Sequence, residues 1–554
     1  NLRQPVLLFS TKDQDSFDQS GILTLKGENL TSTEVNLTSI DTSSDSDIEN
    51  VFLSGVVVNP YGVGLKEVEF SFSTGSNSFS SDANGSFLKL LEKGYSGMIT
   101  PYKSGYSFSP SSLAVENIST NSMGHSFIGA RKSVVYVNHQ STGLNDGTNW
   151  NNAYTDLSDA LELADSFTEI WVAQGTYRPS SVRSGSFVLP GSVTVMGGFK
   201  GDESTSGERD TSLNPTILSG DIGVVDDSID NSFHVVIPLE GSVLDGFIIE
   251  DGNATGNFTD DRGVGAGLWA EGSDFTIRNC QFRNNWAFQG GGAIWTKDSN
   301  ATFSNCTFLS NSSGSIGSGG AIWVSDSNLT LTSCTLTQNK AAFFGGAIRA
   351  DTSTLSIDKS SLLENQSFVS NGGGSIYQNG GSFSIVSTSF SSNQSIHEGG
   401  AILIEDTNGT ILDSNFTNNH NSEYNGGGAL FIENSSPTIS NCKFTGNKTD
   451  ANNYGGAIKL VSSSAVIKES VFQFNQSTKN SGGAIFIDEY SAPVLSNNDF
   501  LYNNASSWGG AVYSRGSQLI LNGGLFLGNW AGYGGGIATN GVPGIQFETI
   551  RIFG

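Results

Sequence analysis

The stretch 399–419, GGAILIEDTNGTILDSNFTNN, decides the fold. It opens on Gly399-Gly400-Ala401-Ile402 and closes on Phe416 with Asn419 three places later, and both signatures recur through the second half of the chain. The first returns as Gly291-Gly292-Ala293-Ile294, Gly319-Gly320-Ala321-Ile322, Gly345-Gly346-Ala347-Ile348, Gly455-Gly456-Ala457-Ile458 and Gly482-Gly483-Ala484-Ile485. The second returns as Phe282/Asn285, Phe308/Asn311, Leu336/Asn339, Leu362/Asn365, Phe390/Asn393, Phe444/Asn447, Phe472/Asn475, Phe500/Asn503 and Phe526/Asn529. With looser copies included, the glycine signature occurs eleven times between Gly265 and Ile537, every 25 to 28 residues. A fixed period of that size means a stacked array, in which each repeat buries its apolar face only against its neighbours.

Between signatures the residues alternate apolar and polar, as in Ala301-Thr302-Phe303-Ser304 and Leu329-Thr330-Leu331-Thr332, and Ser, Thr, Asn and Gly dominate. That pattern favours short strands and turns over helix. Two or three strands with their turns fill one period, which predicts a coil of a right-handed parallel β-helix. Coils stack about 4.8 Å apart, so eleven of them span roughly 50 Å. Paired glycines allow positive φ and close approach to the next coil. Ile and Phe fill the interior, and the terminal Asn is placed to bond along a column of its equivalents.

The pairing of Gly-Gly-Ala-Ile with Phe-x-x-Asn resembles the repeats of the chlamydial polymorphic outer membrane proteins, over residues 265 to about 537. The resemblance implies a secreted adhesin or passenger domain, displayed at the cell surface and acting by binding.

Composition fits that expectation. The 554 residues carry 53 acidic and 27 basic side chains, a net charge of −26, which repels nucleic-acid phosphates and anionic lipid and suits recruitment of divalent cations. No apolar run approaches the roughly 18 residues of a membrane span. Asn1 in place of Met is read as a mature or trimmed terminus. Cys280, Cys306, Cys334 and Cys442 fall at one repeat position, two before the inward Phe or Leu. Side chains stacked in parallel do not converge for disulfide bonding, so four buried free thiols are expected.

Residues 1–50 read as a polar arm ending in an acidic linker at 41–47. Residues 51–131 read as a small β-sandwich, with strands at Val56-Val57-Val58 and Val68-Glu69-Phe70-Ser71-Phe72 and a hairpin at Asp82-Ala83-Asn84-Gly85. Together with the run 103–110, KSGYSFSP, these residues resemble the carboxypeptidase regulatory-like or B-type immunoglobulin-like modules of bacterial surface proteins, which implies a stalk. Residues 132–264 read as the cap and first coils. Thr155 is expected to cap a helix with Leu157, Ala160, Leu161 and Ala164 on one face, laid across the open end of the solenoid. The repeat region follows, 265–554. Its last apolar strand predicts that the native chain continues beyond Gly554 or that this end stacks on a partner.

Chemistry is sparse. The five histidines occupy unrelated places, and neither a nucleophile motif nor the Gly-His-Gly or paired-Asp motifs of pectin-degrading hydrolases occur. No catalytic residue is nominated. Asp221, Asp226, Asp227 and Asp230 crowd one loop, the best candidate for calcium, since that ion wants six to eight oxygens. Asp298, Asp326, Asp351, Asp406 and Asp488 recur after the glycine signature, where a solvated turn accounts for them. The residue after Gly-Gly-Ala-Ile is expected to face solvent, yet Trp269, Trp295, Trp323, Tyr377, Phe431, Phe486 and Tyr513 hold it. Such a stripe either stacks on itself or contacts sugar rings or a protein.

The reading that follows is an extracellular bacterial adhesin or fibre subunit with no required cofactor. Its expected partners are a surface glycan, a surface protein or copies of itself, with no nucleic acid and no membrane insertion. The alternative is a polysaccharide lyase or hydrolase on the same scaffold.

Overall fold

The computed structural model describes residues 22–25, 33–36 and 50–553, apart from 75–77, 104–105, 132, 166–167, 257–260, 371, 451–453 and 542–544. The acidic stretch 41–47 and part of the run 103–110 lie outside these residues. Within the arm, Ile22–Leu25 pairs antiparallel with Thr33–Asn36.

Residues 50–131 form two four-stranded sheets. The strand Asn50–Val58 pairs antiparallel with Ser86–Glu92 and parallel with Ser122–Arg131. Its inward residues Leu53 and Val57 pack with Phe70, Phe87, Ile99 and Phe127. The hairpin at Asp82 closes as its residue types predict, with Oδ1 accepting the backbone N–H of Asn84 and Ser86, both at 2.8 Å.

From Ser133 onward the chain is a parallel β-solenoid with sheets of 15, 14, 13 and 10 strands. The coil at 399–421 shows the plan. Ile402–Glu405 lies in the 13-stranded sheet, Asn408–Leu412 in the 15-stranded, Asn415–Thr417 in the 14-stranded and His420–Asn421 in the ten-stranded. We call these the third, first, second and fourth sheets. The fourth exceeds the two or three strands per coil that sequence periodicity suggests, because a two-residue strand leaves no alternation to read. Left-handed turns separate these four strands, at Asp406 (φ 49), Asp413 (φ 51) and Asn418 (φ 53). Asp and Asn tolerate that conformation better than other side chains. The recurring Asp298, Asp326 and Asp406 are these turn residues.

Both glycines of the signature are sterically required. Gly399 sits at φ +57, and a Cβ on Gly400 would lie 2.1 Å from the Gly428 carbonyl oxygen and 2.7 Å from the backbone of His420. Inside, the phenylalanines stack in register. Centroids of Phe390, Phe416, Phe444 and Phe472 are 4.7 Å apart at each step, with planes within a few degrees.

Three polar columns hold the corners. The signature asparagines form the first: Asn419 Nδ2 donates to Asn447 Oδ1 and to the Phe390 carbonyl, each at 3.0 Å, and its Oδ1 accepts from Asn393 N and Nδ2. The same pattern runs from Asn285 to Asn529. The second column holds the cysteines with Ser360, Thr388, Ser414 and Ser470, where Cys334 N donates to Ser360 Oγ at 3.0 Å. The third is a serine column, as in Ser435 N to Ser463 Oγ at 3.1 Å. All four cysteines are free and buried, and burial pushes the Cys280 thiol up to about 12 and Cys442 to about 11.

The helix Leu157–Leu163 closes the first coil with Leu157, Ala160 and Leu161. Its N-cap is Asp156, whose carboxylate accepts from Ser158 N at 2.8 Å, and not Thr155 as expected. Thr155 is held outside the helix by Asn145, whose Oδ1 takes its backbone N–H at 2.7 Å.

Candidate functional site

The outer face of the third sheet carries most of the chemistry. Side chains alternate along each strand, so Ile402 and Ile404 point inward while Leu403 and Glu405 point out. In-register pairing lines up Trp269, Trp295, Trp323, Arg349, Tyr377, Leu403, Phe431, Lys459, Phe486 and Tyr513 as one column. All seven nominated rings are brought together.

Their expected solvent exposure is wrong for most of the column. Tyr377 and Phe431 are 4% exposed, Phe486 0% and Tyr513 7%, whereas Trp269, Trp295 and Trp323 are half-buried. Part of the cause is that Phe344 and Tyr454, each standing just before a glycine pair, fold back over the column. Phe344 stacks on Tyr377 with centroids 4.2 Å apart, and Tyr454 lies 4.3 Å from Phe486. Trp269 and Trp295 stack on each other at 5.7 Å. The two bases are part of this layer. Arg349 lies 4.6 Å from the Trp323 ring and Lys459 5.1 Å from that of Phe431.

Two residues further along each strand, on the same face, stands a second column that sequence reading did not assemble, having taken its Asp351 for a turn residue where the structure puts it at the end of the strand Ile348–Asp351. It contains Asp351, Glu405 and Glu433, with Arg515 near the C-terminal end. Asp351 Oδ2 accepts from Trp323 Nε1 at 2.8 Å and Arg349 Nε at 2.7 Å. Tyr377 donates its hydroxyl to Glu405 Oε2 at 2.8 Å. Arg515 pairs with Asp488 at 2.6 Å. Burial, followed by the charges of neighbouring carboxylates, raises both Glu405 and Glu433 above the usual range. Burial lowers Lys459, whose ammonium donates to the Asn425 carbonyl at 2.7 Å. A protonatable carboxyl beside a tyrosine hydroxyl and a depressed lysine has the elements of general acid–base chemistry. Period-two reading outward from the aromatic position would have found this column.

The four loop aspartates do not converge. Asp221 is 3.7 Å from Arg178, and its Oδ1 accepts from Asp226 N at 3.2 Å. Asp227 Oδ1 accepts from Ile229 N at 3.1 Å, and Asp230 Oδ2 accepts from Val224 N at 2.8 Å. Three of the carboxylates, Asp221, Asp227 and Asp230, thus accept from their own loop backbone, and among the described residues no three His, Cys, Asp or Glu side chains come together to hold a metal. The loop's charge instead reaches Asp251, which burial and then Glu250 and Asp221 raise to about 6. Among the described residues no helix is long and apolar enough to cross a membrane.

A family model described as a right-handed β-helix region matches residues 242–394 and 376–549, more than half of the chain. No curated protein matches the sequence. Among solved structures, the periplasmic alginate epimerase AlgG is similar at 10% identity and a TM-score of 0.35, covering 72% of this chain and 83% of its own. PfbA, a surface adhesin of Streptococcus pneumoniae, is similar at 11% identity and a TM-score of 0.30, covering 68% and 87%. The catalytic unit of the GH87 α-1,3-glucanase from Streptomyces thermodiastaticus is similar at 10% identity and a TM-score of 0.34, covering 89% and 88%.

Proposed function

This chain belongs to the right-handed β-helix family, and from that premise we propose that it is an extracellular binding rod, an adhesin or fibre subunit displayed at a bacterial surface. The observation that carries the reading is the register itself. Unbroken pairing from Trp269 to Tyr513 repeats the same outward positions once per coil on a stiff frame. Weak contacts repeated at fixed spacing sum to useful avidity. The admitted partners are a surface glycan, a surface protein or further copies of the chain. A net charge of −26 disfavours nucleic acid. The aromatic stripe narrows, as a contact surface, to the half-buried Trp269, Trp295 and Trp323, the other rings being committed to packing. The test is binding of the purified chain to whole bacterial and host-cell surfaces, against Trp295→Ser and Trp323→Ser. Absence of binding to every surface would defeat the proposal.

A second reading is favoured by one observation, the adjacent Glu405 and Glu433 beside Tyr377 and Lys459. In it the third sheet cleaves a polysaccharide. New reducing ends or unsaturated sugars from a polysaccharide panel, lost in Glu405→Gln and Glu433→Gln, would establish it; their absence from the wild-type protein would remove it.

A further inference from the structure

The fourth sheet presents an outward column unlike the rest of the surface. It runs in register from Trp286 to Trp530, with small buried side chains such as Ala287, Ser367 and Ala505 on its inner side. Between the tryptophans stand four amides, Gln366, Gln394, Gln476 and Asn504. Three bases share the column, Lys340, His420 and Lys448. None of its members is acidic, on a chain with 53 acidic residues. Two of these bases share one carboxylate, His420 and Lys448 lying 2.8 and 3.0 Å from Asp450.

Two further features mark this face. At its N-terminal end a groove of about 480 Å³ is lined by Ser310, Asn311, Ser312, Gln338, Lys340 and Glu364. At its C-terminal end, the turn beside the column carries Phe474 and Tyr502, 57% and 50% exposed, with parallel rings 5.5 Å apart. Both sit in the left-handed region, at φ 56 and 55, where neighbouring coils use Asn418 and Gly446. Bulky side chains there cost backbone strain that no burial offsets, the pattern of a position kept for contact with something outside the fold.

We propose that this face is a track for an uncharged polysaccharide lying along the solenoid axis. Amides donate and accept together, as sugar hydroxyls do, and in two pairs of adjacent coils, Gln366 with Gln394 and Gln476 with Asn504, they stand about 4.8 Å apart, close to the advance per sugar of an extended chain. Trp286 at one end, and Tyr502 and Trp530 at the other, offer rings to the apolar faces of sugars. A near-neutral face on an acidic rod selects against polyanions, which the remaining surface repels.

The inference rests on the binding-rod reading and names its ligand. Affinity electrophoresis of the full chain in soluble β-glucan, mannan and xyloglucan, with alginate and polygalacturonate as anionic controls, tests it. At least one uncharged polymer should retard the protein and neither polyanion should. Gln394→Glu with Gln476→Glu places two charges on the track and should weaken retardation about tenfold or more. Tyr502→Ala with Trp530→Ala should do the same, and melting curves report whether each variant is folded; if the aromatic variant melts early, the glutamine pair decides. Retardation changed by less than about twofold in the glutamine pair overturns the track. If no uncharged polymer binds while cell surfaces still do, the track falls and the binding rod stands; if neither binds, both fall.

Discussion

Replacing Asn419 by Leu tests whether the amide column is what holds the coils in register. The side chain is fully buried and makes four hydrogen bonds: two donated, to Asn447 and Phe390, and two accepted from Asn393. At about 1 kcal/mol net for each bond the loss is about 4 kcal/mol, and the Asn393 amide left facing a methyl group adds to it. Asn529, at the last coil of the column, is only partly buried and makes three such bonds, with water available to replace them. Asn529→Leu should therefore cost about 2 kcal/mol. Asn415→Ala, on the exposed side of the neighbouring strand, should stay within about 0.5 kcal/mol. Urea titration gives the ranking, and hydrogen exchange locates the loss, because a solenoid need not unfold in one step. Protection should fall in the coils around Asn393 and Asn447 and persist near Asn285. A loss below about 1 kcal/mol for Asn419→Leu, or equal losses at Asn419 and Asn529, would refute the reasoning.

Gly400→Ala should cost about 3 kcal/mol or prevent folding, since its Cβ meets backbone in two coils, whereas Gly207→Ala, with open space around it, should be silent in the same thermal melt. Lys459→Met should leave stability within about 1 kcal/mol or raise it, because it removes a buried, desolvated charge and keeps the packing against Phe431 and Tyr454; a loss above about 3 kcal/mol would show the ammonium to be required. Asp251 is raised in the folded state, so the native protein binds a proton more tightly than the unfolded chain. Its contribution is full below about pH 4 and disappears as pH rises through about 6, and Asp251→Asn should flatten that part of the stability curve; an unchanged slope would assign it elsewhere.

The solenoid was legible because its constraints repeat. Gly400 and Asn419 each have equivalents in most coils, so one steric demand and one bonding pattern are written many times. Exposure of the aromatic column was not legible, since Phe344 and Tyr454 reach it across the glycine corner, by a fold-back that no periodicity encodes. Glu405 and Glu433 were hidden differently: they share no motif, only a face. The loop bonding was not legible either, because composition records how many carboxylates are near in sequence and not which backbone N–H Asp221, Asp227 and Asp230 take. Asp156 displaced Thr155 as the cap through a contact with Asn145 ten residues away.

The asparagine column also gives the rod a direction. Each amide from Asn285 to Asn503 donates toward its equivalent in the next, C-terminal coil, so their dipoles add where they could have cancelled. Aligned amides polarise one another, each bond strengthening its neighbours. Coils nearly identical in shape are thus electrically ordered head to tail, and the rod, placed in a field, is an arrow.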